Sequence, residues 1–253
     1  MQNKLRSSKT RYYLIDSLRG FALINMIAFH FLYDLFIIFG IDSGWFFQPL
    51  TVVWERFICI SFIVISGISF NFSHKAYRRG ILLNIFGFVI TAVTVIAIPK
   101  QAVWFGILNL LGCSMLILQP LRNYLEKANP LCGAAVSLFL FSLTYGVPGK
   151  YIGFFGIRLL DLPDAMYSFK PLSFLGLRSA GFISSDYFPI IPWIFMFAAG
   201  YFAWRFIESK ELTGIFKFKI PVLDILGRYS LWIYLAHQPV IMGVLMLLMP
   251  QSI

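Results

Sequence analysis

RGFALINMIAFHFLYD, residues 19–34, opens on a cation and carries a histidine and a carboxylate inside an otherwise apolar run. On a helix advancing about 100° per residue, the step of eleven from Arg19 to His30 returns to within about 20° of its starting azimuth. Asp34 follows one turn later, about 40° further round. The three polar groups therefore share one stripe, with Phe21, Leu23, Ile24, Ile27 and Phe31 distributed around the rest of the helix. At about 1.5 Å per residue, His30 lies about 16 Å beyond Arg19, near the midplane of a bilayer core about 30 Å thick. An ionisable group at that depth is costly unless it pairs or faces a wet cavity, which makes the stripe a candidate functional site.

The remainder of the chain supports a bilayer setting. Of its 253 residues, 59% are hydrophobic and 13% are charged, with a mean hydropathy of +0.78. A typical soluble domain carries charge on about 25% of its residues. The sequence predicts an all-α, polytopic transmembrane helix bundle of about seven spans, forming a single domain over residues 1–253. The spans are expected at 18–39, 51–70, 81–98, 102–118, 131–147, 187–206 and 222–249. Residues 1–17 are polar, lack a short apolar core and a cleavage site, and read as a cytoplasmic N-terminal segment.

Charge sets the expected orientation. With the N-terminus inside, fifteen of the 21 Lys and Arg residues fall on the cytoplasmic side and five on the other, Arg56 lying within a span. The net charge of +10 is then a membrane signature, with no nucleic-acid partner implied. Cys59, Cys113 and Cys132 have neither metal-ligand spacing nor a partner in a short loop, so no metal and no disulfide are expected. The connection 148–186 is too long for an ordinary loop and is rich in Gly, Pro and aromatics. It is expected to pack as an outer cap or re-entrant piece, either forming an acceptor site or serving as a lid without a ligand.

Several residues could carry chemistry. In the His30–Asp34 pair, a carboxylate one turn from an imidazole can hold its tautomer and leave the other nitrogen to accept a proton. The structural alternative is a histidine bonded to a neighbouring helix. Arg19 reads either as a positive-inside anchor or as a phosphate ligand, with Asp16 three residues earlier able to direct it. Arg78 and Arg79, beside His74 and Lys75, form the densest basic loop, explained by topology or by a phosphorylated co-substrate entering from the cytoplasm. Glu55 stands near the outer end of the second span, at the interface or facing the same cavity as Asp34. Asn84 and Asn109 suit interhelical hydrogen bonds. His237 again lies near mid-depth, with Tyr234 on its face, and is either a cavity group or a helix contact.

YLIDSLRGFALINMIAFHFLYD is similar to the opening of the bacterial membrane proteins grouped with heparan-alpha-glucosaminide N-acetyltransferase, and ISGISFNFS, FGILNLLGCSML, DYFPIIPWIFMFAAGYF and LGRYSLWIYLAHQPV follow in the family's order. The Arg19-to-His30 spacing also resembles the signature of the wider transmembrane acyltransferase superfamily. The resemblance implies transfer of an acyl group, typically acetyl, from cytoplasmic acyl-CoA to a hydroxyl or amine of a glycan or lipid-linked sugar on the outer side. It further implies a multi-pass protein of the bacterial cytoplasmic membrane in contact with the lipid bilayer, and it is compatible with a homodimer. His30 then matches the catalytic base, by direct transfer or through an acyl-histidine. Asp34 orients it, and Arg19 with Arg78 and Arg79 serves acetyl-CoA. Glu55, Asn109 and His237 would line the cavity. Many bacterial members have His where this chain has Asn109, and an asparagine cannot shuttle a proton. A proton-coupled transporter or flippase using His30, Asp34 and His237 is the competing reading, and a structural membrane partner the third; no internal repeat favours the transporter.

Overall fold

The computed structural model describes residues 11–41 and 44–249, so the first ten residues of the expected 1–17 segment lie outside the description. The protein is an all-α polytopic bundle. Among the described residues, six helices are long and apolar enough to cross a membrane, and there is a shorter apolar one, Ile107–Leu118. The helices are α1 (Tyr13–Tyr33), α2 (Pro49–Phe70), α3 (Ala76–Ala97), α4 (Ile107–Leu118), α5 (Arg122–Lys127), α6 (Pro130–Thr144), α7 (Ile190–Ser209), α8 (Pro221–Arg228) and α9 (Ser230–Leu248). They sort into two compact units, one of residues 1–65 with 210–253 and one of residues 66–209.

In the first unit, α1 runs without interruption into a π-helical turn, Asp34–Ile38. It crosses α8 with backbone touching backbone. A Cβ on Gly20 would meet the Leu223 carbonyl, and one on Gly227 would meet the Asp16 carbonyl. Small residues permit such close crossings in membranes. The expected span 222–249 is two helices. It breaks at Tyr229 because the preceding turns are amphipathic: Asp224 is fully buried and held by Arg228, with Lys219 at 4.0 Å, while α9 beyond is apolar. Pro239 lies inside α9.

In the second unit, Asn129 caps α6 by accepting from the amides of Leu131 and Cys132 at 3.0 and 3.1 Å, with Pro130 at the first helical position. The expected span 102–118 shortens to twelve residues, about 18 Å, because 102–106 is irregular, with Phe105 in the left-handed region, and is bonded to the 184–188 segment. The Trp104 amide donates to Ser184 Oγ at 2.9 Å and the Phe188 amide to the Phe105 carbonyl at 2.9 Å. The Ile107 amide, an orphan donor at the start of α4, reaches Asp186 Oδ2 at 3.3 Å. The 148–186 connection carries secondary structure of its own, and part of it is exposed. It holds an antiparallel hairpin, β1 (Tyr151–Phe154) with β2 (Ile157–Asp161), followed by two 3₁₀ turns. Tyr167 is buried and donates to the Val147 carbonyl, and Tyr187 donates to the Ser173 carbonyl. Burial raises the pKa of both phenols, and the exposed Lys150 lowers that of Asp164 by hydrogen bonding it.

Two arginines tie the short connections of this unit. Arg122 donates to the carbonyls of Asn71 and Ser73 at 2.8 and 3.1 Å. Arg205 donates to those of Leu125, Glu126 and Ala128 at 2.7, 2.7 and 3.3 Å, closing the end of α5. Arg205→Met keeps the aliphatic stem but strips those carbonyls of a charged donor. It should cost about 2 kcal/mol, read as a lower Tm of the detergent-purified protein; an unchanged Tm would contradict this assignment.

Candidate functional site

The polar groups of α1 and α9 meet where α1 passes into its π turn and α9 carries a proline. On α1, the π turn closes with the Phe39 amide donating to the Asp34 carbonyl at 2.9 Å, and such turns recur at functional sites. On α9, Gln238 immediately precedes Pro239, which has no N–H to continue the helical ladder. The His30 and His237 rings lie 4.9 Å apart between centroids, inclined at 61°. Phe29 packs edge-on to His30 at 6.2 Å. Leu23, Met26 and Ile58 form a core below, against which Trp54, Ile233 and Tyr234 pack. Phe39, Ile241 and Leu245 form another, joined by Leu35 and Ile38.

Hydrogen bonding determines what each polar atom offers. Asp34 is fully buried, and both its carboxyl oxygens accept from Gln238 Nε2, at 2.9 and 2.7 Å. His237 Nδ1 contacts the Tyr234 carbonyl. A carbonyl only accepts, so Nδ1 carries the proton and Nε2 presents a lone pair. His237 Nε2 and Gln238 Oε1 are both buried and neither has a hydrogen-bond partner among the described residues. Leaving a buried polar atom unmet costs about 1–3 kcal/mol, so two such atoms on consecutive residues mark a polar spot within the apolar helices.

The residues singled out from sequence are distributed unevenly. His30 and His237 come together, and Asp34 stands one turn from His30 but engages Gln238 instead. Arg19 pairs with Asp16 at 3.0 Å, as the three-residue spacing anticipates, and Arg11 joins the same carboxylate at 2.7 Å. That hydrogen bond raises the pKa of Arg11. Glu55 lies 3.8 Å from Arg56, both partly exposed, and is absent from the hydrogen bonds and ring contacts of His30, Asp34 and His237 among the described residues. Arg78 and Arg79 are exposed in the first turn of α3, in the other unit.

Asn109 also belongs to that unit. Its carboxamide fits against Gly87, as that of Asn84 fits against Gly112, so α3 and α4 interlock through a reciprocal Asn–Gly pairing. Asn84 Oδ1 accepts from Cys113 Sγ at 3.3 Å and, weakly, from Asn109 Nδ2 at 3.5 Å. These side chains line a cavity of about 260 Å³ walled by Phe88, Phe105, Phe174 and Phe188. Asn109 is thus an interhelical group, and the cavity it faces is not built from His30 or His237.

Gln238 is the residue that sequence reading missed. Its only local signal was a carboxamide between a mid-span histidine and a proline in AHQP. No group of three or more His, Cys, Asp or Glu among the described residues could hold a metal ion.

Residues 11–239 match the model of a protein family described as "Heparan-alpha-glucosaminide N-acetyltransferase, catalytic". The matched stretch begins just before α1 and ends just past Gln238, so it includes every group of the His30–Gln238 cluster. No curated protein and no solved structure matches the chain.

Proposed function

The chain belongs to the heparan-alpha-glucosaminide N-acetyltransferase catalytic family, and from that premise we propose that it transfers an acetyl group from cytoplasmic acetyl-CoA to an amine or hydroxyl of a glycan or lipid-linked sugar on the outer side. The membrane is the bacterial cytoplasmic membrane, the N-terminus is cytoplasmic, and 1–253 acts as one catalytic domain with 148–186 as its outer cap. The observation that carries this reading is the facing pair of imidazoles, His30 and His237, inside apolar helices.

The chemistry needs a base and a way to hold two substrates. His30 takes a proton from the acceptor as its nitrogen or oxygen attacks the thioester carbonyl, and the sulfur of CoA departs with the bonding electrons. Asp34, clasped by Gln238 one turn beyond His30, supports the approach of α1 to α9 and so the facing of the two rings. Arg19, already directed by Asp16, supplies a cation for the CoA phosphates, as Arg78 and Arg79 do in their own unit.

Calorimetry with acetyl-CoA on the detergent-purified protein tests the reading. Saturable binding is expected, weakened about tenfold in Arg19→Ala, the equivalent of about 1.4 kcal/mol, and unchanged in His30→Ala. No binding at millimolar acetyl-CoA, together with proton-driven flux of a substrate without CoA, would overturn it in favour of the transporter.

A further inference from the structure

The cavity of about 260 Å³ in the second unit has no part in the acyl-transfer reading. Its walls are hydrocarbon. Phe88 comes from α3, Leu110 from α4, Ile190 from the start of α7 and Phe174 from a 3₁₀ turn of the 148–186 connection. Phe105 and Phe188 come from the two segments that bond to each other beside them. Asn84, Asn109 and Cys113 also line it, but their bonds go to one another and to the backbone. Asn84 Nδ2 donates to the Gly80 carbonyl at 2.9 Å, and its Oδ1 accepts from Cys113 Sγ at 3.3 Å and from Asn109 Nδ2 at 3.5 Å. What remains for a ligand is aromatic and aliphatic surface. Apolar cavities of this kind stay dry, whereas a hydrocarbon entering one gains the dispersion contacts that its lining lacks.

Two observations point to the occupant. Phe88 is 58% exposed and stands in an exposed row with Ile81, Ile85 and Val89, on a helix long and apolar enough to cross a membrane. The residue that faces the bilayer therefore also walls the cavity, so the cavity is reached from the lipid. Phe105 has a φ of 54°, in the left-handed region that a bulky side chain rarely adopts. Its carbonyl accepts from the Phe188 amide at 2.9 Å, and its ring lies 6.2 Å from that of Phe174. Such conformations collect at ligand sites, and this one sets a ring into the cavity wall. We propose that the cavity binds the hydrocarbon chain of a bilayer lipid, entering past Phe88 and recognised by its chain rather than its headgroup. An apolar cavity of about 150 Å³ takes one benzene ring, so by the same ratio this one takes a segment of about ten carbons. With the N-terminus cytoplasmic, as proposed above, the lipid belongs to the outer leaflet, because Phe105, Phe174 and Phe188 come from the connections on that side. The binding does not depend on acetyl transfer.

The probe is a phosphatidylcholine with a diazirine at the end of one acyl chain, mixed into nanodiscs of ordinary phosphatidylcholine that hold the full chain. After irradiation and proteolysis, mass spectrometry places the carbene adducts. Adducts are expected on Leu110 and Phe188, which are only 1% and 6% exposed, besides those on Ile85 and Val89 that any surrounding lipid reaches. Phosphatidylglycerol with the same chain should label Phe188 equally. Cys113→Phe puts a ring into the cavity, so the yield on Phe188 should fall about tenfold while that on Val89 holds. Cys113→Ala enlarges the cavity instead and should keep or raise the Phe188 adducts.

Adducts confined to exposed residues in the wild type overturn the inference. So does labelling of Phe188 that persists in folded Cys113→Phe, or that follows the headgroup rather than the chain. Should Cys113→Phe not fold, the wild type and Cys113→Ala decide: loss of the Phe188 adducts in Cys113→Ala overturns the site, and their retention beside wild-type labelling of Leu110 and Phe188 supports it.

Discussion

His30→Ala is expected to lower kcat for acetyl transfer by about a thousandfold while acetyl-CoA binding and Tm change little. Proton removal by a positioned base contributes about 10²- to 10⁴-fold, and His30 is the α1 imidazole that faces α9. His30 is half-buried rather than sealed in the core, so truncation removes the edge contact with Phe29 and the contact with His237 without opening a large void. Added imidazole should restore part of the rate in His30→Ala, since the truncation leaves space where a free base can dock, and the same addition should do nothing for His30→Gln, which fills that space. Turnover within tenfold of wild type in both variants would remove His30 from the mechanism.

Gly227→Leu should be the most destabilising single change in the first unit, by about 3 kcal/mol or more. The built Cβ at this position meets the Asp16 carbonyl and the Gly20 amide, which are backbone atoms that no rotamer change can move aside. The helices α1 and α8 must separate. Asp16 moves with them, so the carboxylate that directs Arg19 shifts as well. The expected result is a large fall in the yield of monodisperse protein and in Tm, with weaker acetyl-CoA binding in whatever remains folded. Gly243→Ala is the control: its Cβ meets nothing within 4 Å, and alanine is the better helix former by about 1 kcal/mol. Equal behaviour of the two variants would show that the crossing does not depend on the glycine.

The stripe through Arg19, His30 and Asp34, the bundle class, and the Asp16–Arg19 pair were legible in the sequence because each depends on helical period and hydropathy within a few turns. The family motifs were legible for the same reason, as short runs of neighbouring residues. What the sequence could not decide was which helix meets which. Asp34 is bonded to Gln238 across 204 positions, and no local periodicity signals that pairing. The shortening of 102–118 to α4 follows from a tertiary partner, the 184–188 segment, whereas the split of 222–249 at Tyr229 follows a change along the chain, from an amphipathic α8 holding the Asp224–Arg228 pair to an apolar α9. Asn109 could be read as a cavity residue or an interhelical one; it sits at the close approach of α3 to α4 at Gly80, Gly87 and Gly112 and also lines the cavity beside it. Helical period fixes the azimuth of a side chain on its own helix, but the atom it bonds is set by the packing of a different one.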